Sequence, residues 1–268
     1  MKRPPRRLRL ASSLALGLAA LACATVPVTG RRQISLVPES QELALGSEAY
    51  QEILSEEKVT TNARATEIVR RVANRITPHT HKPDLPWEVN VIESKEMNAF
   101  CLPGGKIAFY TGILPVCQNE AGVAVVMGHE IAHAIARHGV ERMSQGVIAQ
   151  IGAAAVGIAT KESPYQKEIL AAYGVGANVG VMLPFSRTHE SEADHIGIVY
   201  MAKAGYDPAE AVRFWQRFAE MKGGSAPPEW LSTHPSDETR VRNLNALLPE
   251  AMDYYRAAPN RYGTGETL

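Results

Sequence analysis

Residues His129-Glu130-Ile131-Ala132-His133 lie inside an apolar run that extends from Ala121 to Ala136. The length and composition of this run predict a buried helix. Residues four apart share one face of a helix, so His129 and His133 can present two imidazoles to one metal ion. Glu130 lies beside the first histidine, where it can reach a water molecule without binding the metal. Two nitrogen ligands, an open coordination position and a carboxylate base are what a zinc-dependent hydrolase needs.

The same short pattern also occurs in ordinary buried helices. In that alternative, the two histidines form hydrogen bonds and the glutamate has a basic partner. The neighbouring residues argue against it, because two imidazoles and a carboxylate are costly to bury among Val, Ile and Ala without a partner. A cation supplies that partner. Asn119 is suited to cap the start of the helix, and Gly139 is suited to end it.

A catalytic zinc ion needs a third protein ligand. A helix predicted downstream contains Glu190 and Asp194, which share a face. Glu190 could bind the metal, and Asp194 could accept a hydrogen bond from the outer nitrogen of a ligand histidine and fix its orientation. A solvated, charged helix face is the alternative for this segment. The rival ligands in it are His189, Glu192 and His195.

A third segment contains His234, Pro235 and Arg240. The proline favours an extended backbone at the histidine before it. His234 could approach the metal or the oxyanion of a tetrahedral intermediate, and Arg240 could pair with a carboxylate or a substrate carbonyl. An ordinary turn and helix cap fits the same residues.

Together these segments resemble the M48 family of zinc metallopeptidases, including its periplasmic lipoprotein branch. The resemblance covers Met97 to Arg240 and includes, in order, Asn98–Gly105, His129–His133, Glu190–Asp194 and Thr233–Pro235. It implies one zinc ion per chain, held by His129, His133 and Glu190, with Glu130 as the general base. It also implies a supporting or proton-handling role for Asp194. His234 matches a histidine that can occupy the open metal position at rest.

The resemblance implies an α+β fold, a mostly helical zincin-like domain over residues 39–253 with a small β-sheet beside the H-E-x-x-H helix. Alternating residues predict strands at Trp87–Val91 and Lys106–Tyr110. An edge strand near the metal can hold an extended substrate by backbone hydrogen bonds. The resemblance places the substrate-contacting residues there: Asn98, Ala99, Phe100, Gly104 and Gly105.

Residues 1–22 resemble a secretory signal, with basic residues as far as Arg9 and then an apolar stretch that is short for a membrane span. Ala20–Cys23 resembles the lipobox of bacterial lipoproteins, although leucine is more usual where Ala20 stands. Cleavage there would leave a lipid-bearing Cys23, followed by a linker over residues 23–38. We therefore predict an exported, periplasmic protein anchored to the outer membrane by lipid. Ordinary signal cleavage is the alternative.

The composition sets further limits. The chain has 268 residues and is 45% hydrophobic, which is enough for one domain with a sizeable core. Without residues 1–22 it carries 23 basic and 28 acidic residues, so charge gives no reason to expect nucleic-acid binding. The predicted partners are polypeptide substrates, the membrane and envelope assembly machinery. Cys101 and Cys117 are predicted to be reduced, mostly buried thiols.

Residues 146–186 are rich in small and apolar residues, and we interpret them as helices or lid segments that cover the site and open for substrate. The tail from Tyr254 to Leu268 is predicted to be loose. The leading hypothesis is a zinc endopeptidase that acts on misfolded or unassembled envelope proteins. Two alternatives stay open. One is a zinc-dependent chaperone or assembly factor with incidental proteolysis, and the other is an integral membrane protease that uses residues 147–186 as two spans.

Overall fold

A computed structural model describes residues 23–167, 169, 186–220, 234 and 238–268 of the chain. Its helices are α1 (Glu39–Glu56), α2 (Ala63–Ile76), α3 (Leu114–Cys117), α4 (Glu120–Ile135), α5 (His138–Ala159), α6 (Arg187–Lys203), α7 (Ala209–Glu220) and α8 (Glu238–Ala257). Its strands are β1 (Cys23–Thr25), β2 (Arg32–Ile34), β3 (Glu88–Ile92), β4 (Ala99–Leu102) and β5 (Lys106–Tyr110). The predicted α+β class, mostly helical with a small sheet beside the H-E-x-x-H helix, is confirmed.

Helix α4, which carries the H-E-x-x-H motif, lies at the centre of the fold. Asn119 caps its start as predicted, because the side-chain oxygen accepts a hydrogen bond from the Gly122 N–H at 2.9 Å. Nearly all residues of α4 are buried, and it packs against α2, α6, α7 and β4. Gly128 and Gly197 let α4 and α6 approach closely, since a Cβ atom at Gly197 would lie 2.8 Å from the Gly128 backbone. This crossing brings His129 alongside the acidic residues of α6.

The larger sheet has the strand order β3-β5-β4, with β3 parallel and β4 antiparallel to β5. Within the described chain β4 is therefore an edge strand, and it packs beside α4. Gly104 and Gly105 form the turn from β4 to β5 with φ values of +85° and +76°, a region that favours glycine. Trp87, predicted as the first residue of a strand, precedes β3, and its ring lies against Gly105.

The predicted end of the motif helix at Gly139 is wrong. Helix α4 ends at Ile135, and Arg137 adopts the left-handed conformation with φ +58°. Helix α5 begins at the next residue, His138, so Gly139 lies in its first turn. The Arg137 guanidinium pairs with Glu42 of α1 at 2.7 Å and stabilises the turn between α4 and α5. The chain therefore turns back at once, and His138 lies beside the motif.

The segment expected as a linker over residues 23–38 is structured. Cys23–Thr25 pairs with Arg32–Ile34 in an antiparallel β-hairpin. The hairpin is attached to the helical body, because the Gln33 side chain donates to the Ala136 carbonyl at 2.7 Å. The expected linker is therefore part of the packed structure from Cys23 onward.

The C-terminal tail also differs from the loose segment that was predicted. Helix α8 continues to Ala257. Beyond it, the Glu120 N–H donates to the Glu266 carbonyl, and the Leu268 N–H donates to the Gln118 carbonyl, both at 2.9 Å. The first of these bonds satisfies a donor at the start of α4, where N–H groups have no partner inside the helix. The tail therefore helps to fix the motif helix.

Two of the sequence-based hypotheses concern residues that are only partly described. Residues 146–159 of the predicted lid belong to α5, whereas 168 and 170–185 lie outside the described residues, as do 1–22. The lid and the signal peptide stay predictions. In the part of the chain that the structure describes, no helix combines the length and apolar character needed to cross a bilayer.

Candidate metal centre

Four side chains from three parts of the chain converge at the end of α4. His129 and His133 project from one face of α4, Glu190 from the first turn of α6, and His234 from the segment before α8. One ligand atom of each residue lies within 4.8 Å of the other three, and all four residues are buried. The structure thus brings the three predicted ligands together with His234.

The distances among these atoms suit one small cation. The Nε2 atoms of His129 and His133 are 3.1 Å apart. They lie 3.4 Å and 3.3 Å from the nearest carboxylate oxygens of Glu190. Zinc holds such ligands at about 2.1 Å in a tetrahedral arrangement, which separates the ligand atoms by about 3.4 Å. Imidazole and carboxylate are also usual zinc ligands, so these residues fit a zinc ion.

His234 lies in the same group as His129, His133 and Glu190. Its Nδ1 atom is 3.3 Å from His129 Nε2 and 3.1 Å from Glu190 Oε1. Its Nε2 atom is 3.7 Å from Glu130 Oε1. Catalytic zinc sites use three protein ligands and keep a fourth position for water or substrate. The position of His234 is compatible with a fourth ligand.

Asp194 and Arg240 contact the candidate ligands on the side away from their shared centre. His129 Nδ1 lies 3.0 Å from Asp194 Oδ1. Arg240 donates from Nε to Asp194 at 2.7 Å and from Nη1 to Glu190 at 2.9 Å. Its guanidinium also lies over the Trp215 ring, 3.5 Å from the ring centroid. The buried Arg240 guanidinium therefore holds both carboxylates in place, in agreement with the carboxylate pairing predicted for Arg240.

The carboxylates at the centre favour positive charge on the histidines beside them. Burial and the Arg240 charge oppose protonation of His129, but hydrogen bonds to the acidic side chains raise its pKa to about 9. Burial holds the pKa of His133 well below its usual value. Burial also opposes ionisation of Glu190, but the histidines around it keep its pKa far below the usual range. Ionised carboxylates and neutral imidazoles are the forms that bind metals, so a bound ion would displace the proton of His129.

Glu130 is buried, and it belongs to the wall of a cleft that opens beside the candidate ligands. The cleft has a volume of about 410 Å³. Strand β4 forms one wall, and Leu45 and Met143 lie on the wall formed by α1 and α5. The predicted substrate-contacting residues that line it are Asn98, Ala99 and Phe100. The structure does not bring Gly104 and Gly105 to the cleft, because they form the turn beyond β4.

A larger and shallower hollow of about 740 Å³ lies along α2. It contains none of the metal-binding candidates. The smaller cleft is lined by Glu130, His133 and His234, so volume alone does not identify the site.

The three rival ligands contact other residues. His195 pairs with Glu250 near the surface at 3.0 Å. His189 and Glu192 are buried beside the metal centre in a second polar group, which we term the outer cluster. The outer cluster consists of Arg31, His138, Glu141, His189 and Glu192. Of its members, Arg31, His138 and Glu141 were not predicted. Only His138 carried a signal in the sequence, as a further histidine five residues after His133.

Cys101 and Cys117 are free thiols; Cys117 is buried as predicted, whereas Cys101 is half-buried. Burial raises the pKa of both thiols, which keeps them protonated and unreactive. Cys101 lies on the cleft wall, but nothing around it indicates a part in the chemistry.

The profile of peptidase family M48 matches residues 60–248 of the chain. The chain is 37% identical to mitochondrial metalloendopeptidase OMA1 of Schizosaccharomyces pombe, over 85% of this chain and 67% of that protein. It is 30% identical to the human mitochondrial metalloendopeptidase OMA1, over 84% of this chain and 46% of that protein.

A bacterial relative is also similar. The chain is 28% identical to the beta-barrel assembly-enhancing protease of Escherichia coli, over 89% of this chain and 52% of that protein. The chain spans about half the length of the human and bacterial relatives. The chain belongs to peptidase family M48, and the sequence-based prediction of a metallopeptidase is confirmed.

Proposed function

We propose that this chain is a zinc-dependent endopeptidase of the bacterial cell envelope that hydrolyses misfolded or unassembled proteins. One observation carries the proposal. His129, His133 and Glu190 converge beside Glu130, at a cleft with an edge strand along one wall. Metal ligands, a base and a place for an extended chain are the parts that such an enzyme requires.

Each residue at the centre has one chemical task. His129, His133 and Glu190 would hold the metal. A bound zinc ion would polarise the scissile carbonyl and lower the pKa of the attacking water. The Glu130 carboxylate accepts a proton from that water as its oxygen bonds to the carbonyl carbon. Glu130 then passes the proton to the leaving nitrogen as the C–N bond breaks.

Asp194 and Arg240 are positioning residues in this proposal. Asp194 accepts from His129 Nδ1, which keeps the opposite nitrogen, Nε2, turned towards the metal. Arg240 binds both Asp194 and Glu190, so the two carboxylates cannot turn away. The ligands are therefore arranged in advance.

The edge of β4 that faces away from β5 pairs with no other described strand, and it binds the substrate backbone. The Tyr110 N–H donates to the Asn98 carbonyl at 3.1 Å. Bonded positions alternate along an antiparallel pair, so the Ala99 carbonyl and both main-chain groups of Cys101 point away from β5. An extended segment can add to these groups as a further strand. A folded protein rarely offers such a segment, which supports unfolded substrates.

Two observations support the envelope location. Residues 1–22 resemble a signal peptide that ends before Cys23. The Escherichia coli relative is named for β-barrel assembly, whereas the names of the OMA1 relatives refer to mitochondria and bear only on the chemistry. Because the hairpin that begins at Cys23 packs on the helical body, a lipid on Cys23 would hold the catalytic domain close to the membrane.

The test of the proposed function compares two forms of one substrate. We expect the zinc-loaded protein to cut reduced, carboxymethylated α-lactalbumin at internal bonds and to leave the native form intact. A chelator should stop the cleavage and added zinc should restore it. Mass spectrometry of the fragments identifies the bonds. Equal cleavage of the native form, or release of terminal residues alone, would show that the proposal is wrong.

Lipidation is a separate prediction. Expressed with its own N-terminus in a bacterium, the mature chain should begin at Cys23 and carry acyl chains, each buried methylene contributing about 0.8 kcal/mol to anchoring. Intact-mass and N-terminal peptide analysis measure this directly. The Cys23→Ser variant should lose the added mass and leave the membrane fraction. An unmodified Cys23 at the N-terminus, or an N-terminus elsewhere, would refute the prediction.

A further inference from the structure

We propose that His138 is a positioning residue for the metal ligand His133, and that Glu192 and Arg31 hold His138 in place. The inference rests on the zinc site proposed above. It assigns to the outer cluster the same kind of task for His133 that Asp194 performs for His129.

The two histidines meet through their outer nitrogens. His133 Nδ1 lies 2.9 Å from His138 Nδ1, and the rings are edge to face with their centroids 4.9 Å apart. His133 Nε2 is the atom that faces Glu190 and His129. When Nε2 binds a metal, the neutral ring carries its proton on Nδ1. Across the 2.9 Å contact that proton is donated to His138 Nδ1, which is then the acceptor.

The acceptor role of Nδ1 fixes the tautomer of His138. If Nδ1 accepts, Nε2 carries the proton, and this atom lies 2.9 Å from Glu192 Oε2. His138 is 0% exposed, so its ring nitrogens depend on protein partners. The two hydrogen bonds therefore donate in one direction, from His133 to His138 and from His138 to the Glu192 carboxylate. A carboxylate behind a ligand histidine orients the ring and increases its basicity, here through one additional imidazole.

Arg31 and His189 fix the far side of this chain of hydrogen bonds. Arg31 pairs with Glu192 at 2.7 Å and with Glu141 at 2.7 Å. Glu141 accepts from His189 Nε2 at 2.9 Å, and the His189 ring stacks on His138 with the centroids 4.4 Å apart. His138 is therefore held on its face by His189 and at its edge by Glu192. Arg31 belongs to the N-terminal hairpin, so the hairpin contributes to the metal centre.

The alternative is that the outer cluster only fills the corner between α4 and α5. A filling role would affect the stability of the metal-free protein. A positioning role would affect the binding of the metal by folded protein. Measuring both quantities on the same variants separates the two roles.

The decisive variant is Glu192→Gln, which keeps the size of the side chain and removes its charge. We expect it to bind zinc about tenfold more weakly in competition with a chromogenic chelator. The visible absorption of the cobalt-substituted protein should shift as well, because it reports ligand geometry. The matched control is Glu250→Gln. Glu250 also accepts from a histidine, His195, at 3.0 Å but away from the centre, so zinc affinity should be unchanged.

A second variant, His138→Phe, removes the acceptor itself and should weaken zinc binding further. The unfolding temperature of the metal-free form is measured for every variant, and affinities are compared where circular dichroism shows folded protein. Glu192→Gln decides the question alone if His138→Phe does not fold. Unchanged zinc affinity and cobalt spectrum in folded Glu192→Gln would overturn the inference, whatever happens to the unfolding temperature. Absence of zinc binding by the wild type would instead contradict the proposed metal site.

Discussion

Glu130→Gln is expected to lower the rate of peptide cleavage by about 10²- to 10⁴-fold and to leave zinc bound, because glutamine has the same size but cannot accept the proton of the attacking water. Glu130 is buried on α4 and lies outside the group of four candidate ligands. The substitution therefore changes the base without changing the ligands. Initial rates on an internally quenched peptide and zinc content by elemental analysis measure the two effects.

A variant of a ligand gives the contrasting result. His133→Ala should lose both zinc and activity, because it removes one of the converging nitrogens. Near-normal turnover by Glu130→Gln would contradict the role of base, and full zinc occupancy in His133→Ala would contradict the ligand assignment. The chaperone alternative makes a different prediction, namely that cells with Glu130→Gln still assemble their envelope proteins normally. Normal assembly without hydrolysis would favour that alternative.

The parts of the site that the sequence predicted are those set by local geometry. His129 and His133 share a face because they are four residues apart in one helix, and Glu190 and Asp194 share a face for the same reason. These relations hold wherever the helices lie. The meeting of the two pairs depends on tertiary packing. It is made possible by the contact of two glycines, Gly128 on α4 and Gly197 on α6. Residue spacing could not show that the two pairs meet, and the resemblance to a family supplied that expectation.

The residues that sequence reasoning missed come from distant parts of the chain. Trp215 lies under the Arg240 guanidinium, although its position on α7 looks like that of an ordinary core aromatic residue. Arg31 lies in a segment that was interpreted as a linker, and its pairing with Glu192 spans 161 residues. The left-handed turn at Arg137 could not be predicted from a glycine, because the residue with positive φ is an arginine. In each case the partner that stabilises the residue is far away in sequence, so no local pattern exists.

His234→Ala is expected to raise the basal rate of cleavage about 10- to 100-fold. His234 Nδ1 lies 3.3 Å from His129 Nε2 and 3.1 Å from Glu190 Oε1, at the place where a fourth ligand would exclude the attacking water. If this closed state is favoured by about 1.4 to 2.8 kcal/mol, the open state is populated 10- to 100-fold less than it would be without the histidine. Removing the imidazole abolishes that preference. Rates on the quenched peptide, at equal zinc occupancy, measure the gain.

The matched control is His195→Ala, which removes a histidine of α6 that pairs with Glu250 away from the centre. It should leave the rate unchanged. His234 could also stabilise the oxyanion of the transition state, and that role predicts the opposite sign: cleavage is lost while zinc is retained. A rise in rate therefore assigns His234 to closure of the site, and a loss assigns it to catalysis. If zinc affinity and cleavage rate are both the same as in the wild type, His234 has neither role, despite its burial among the ligands.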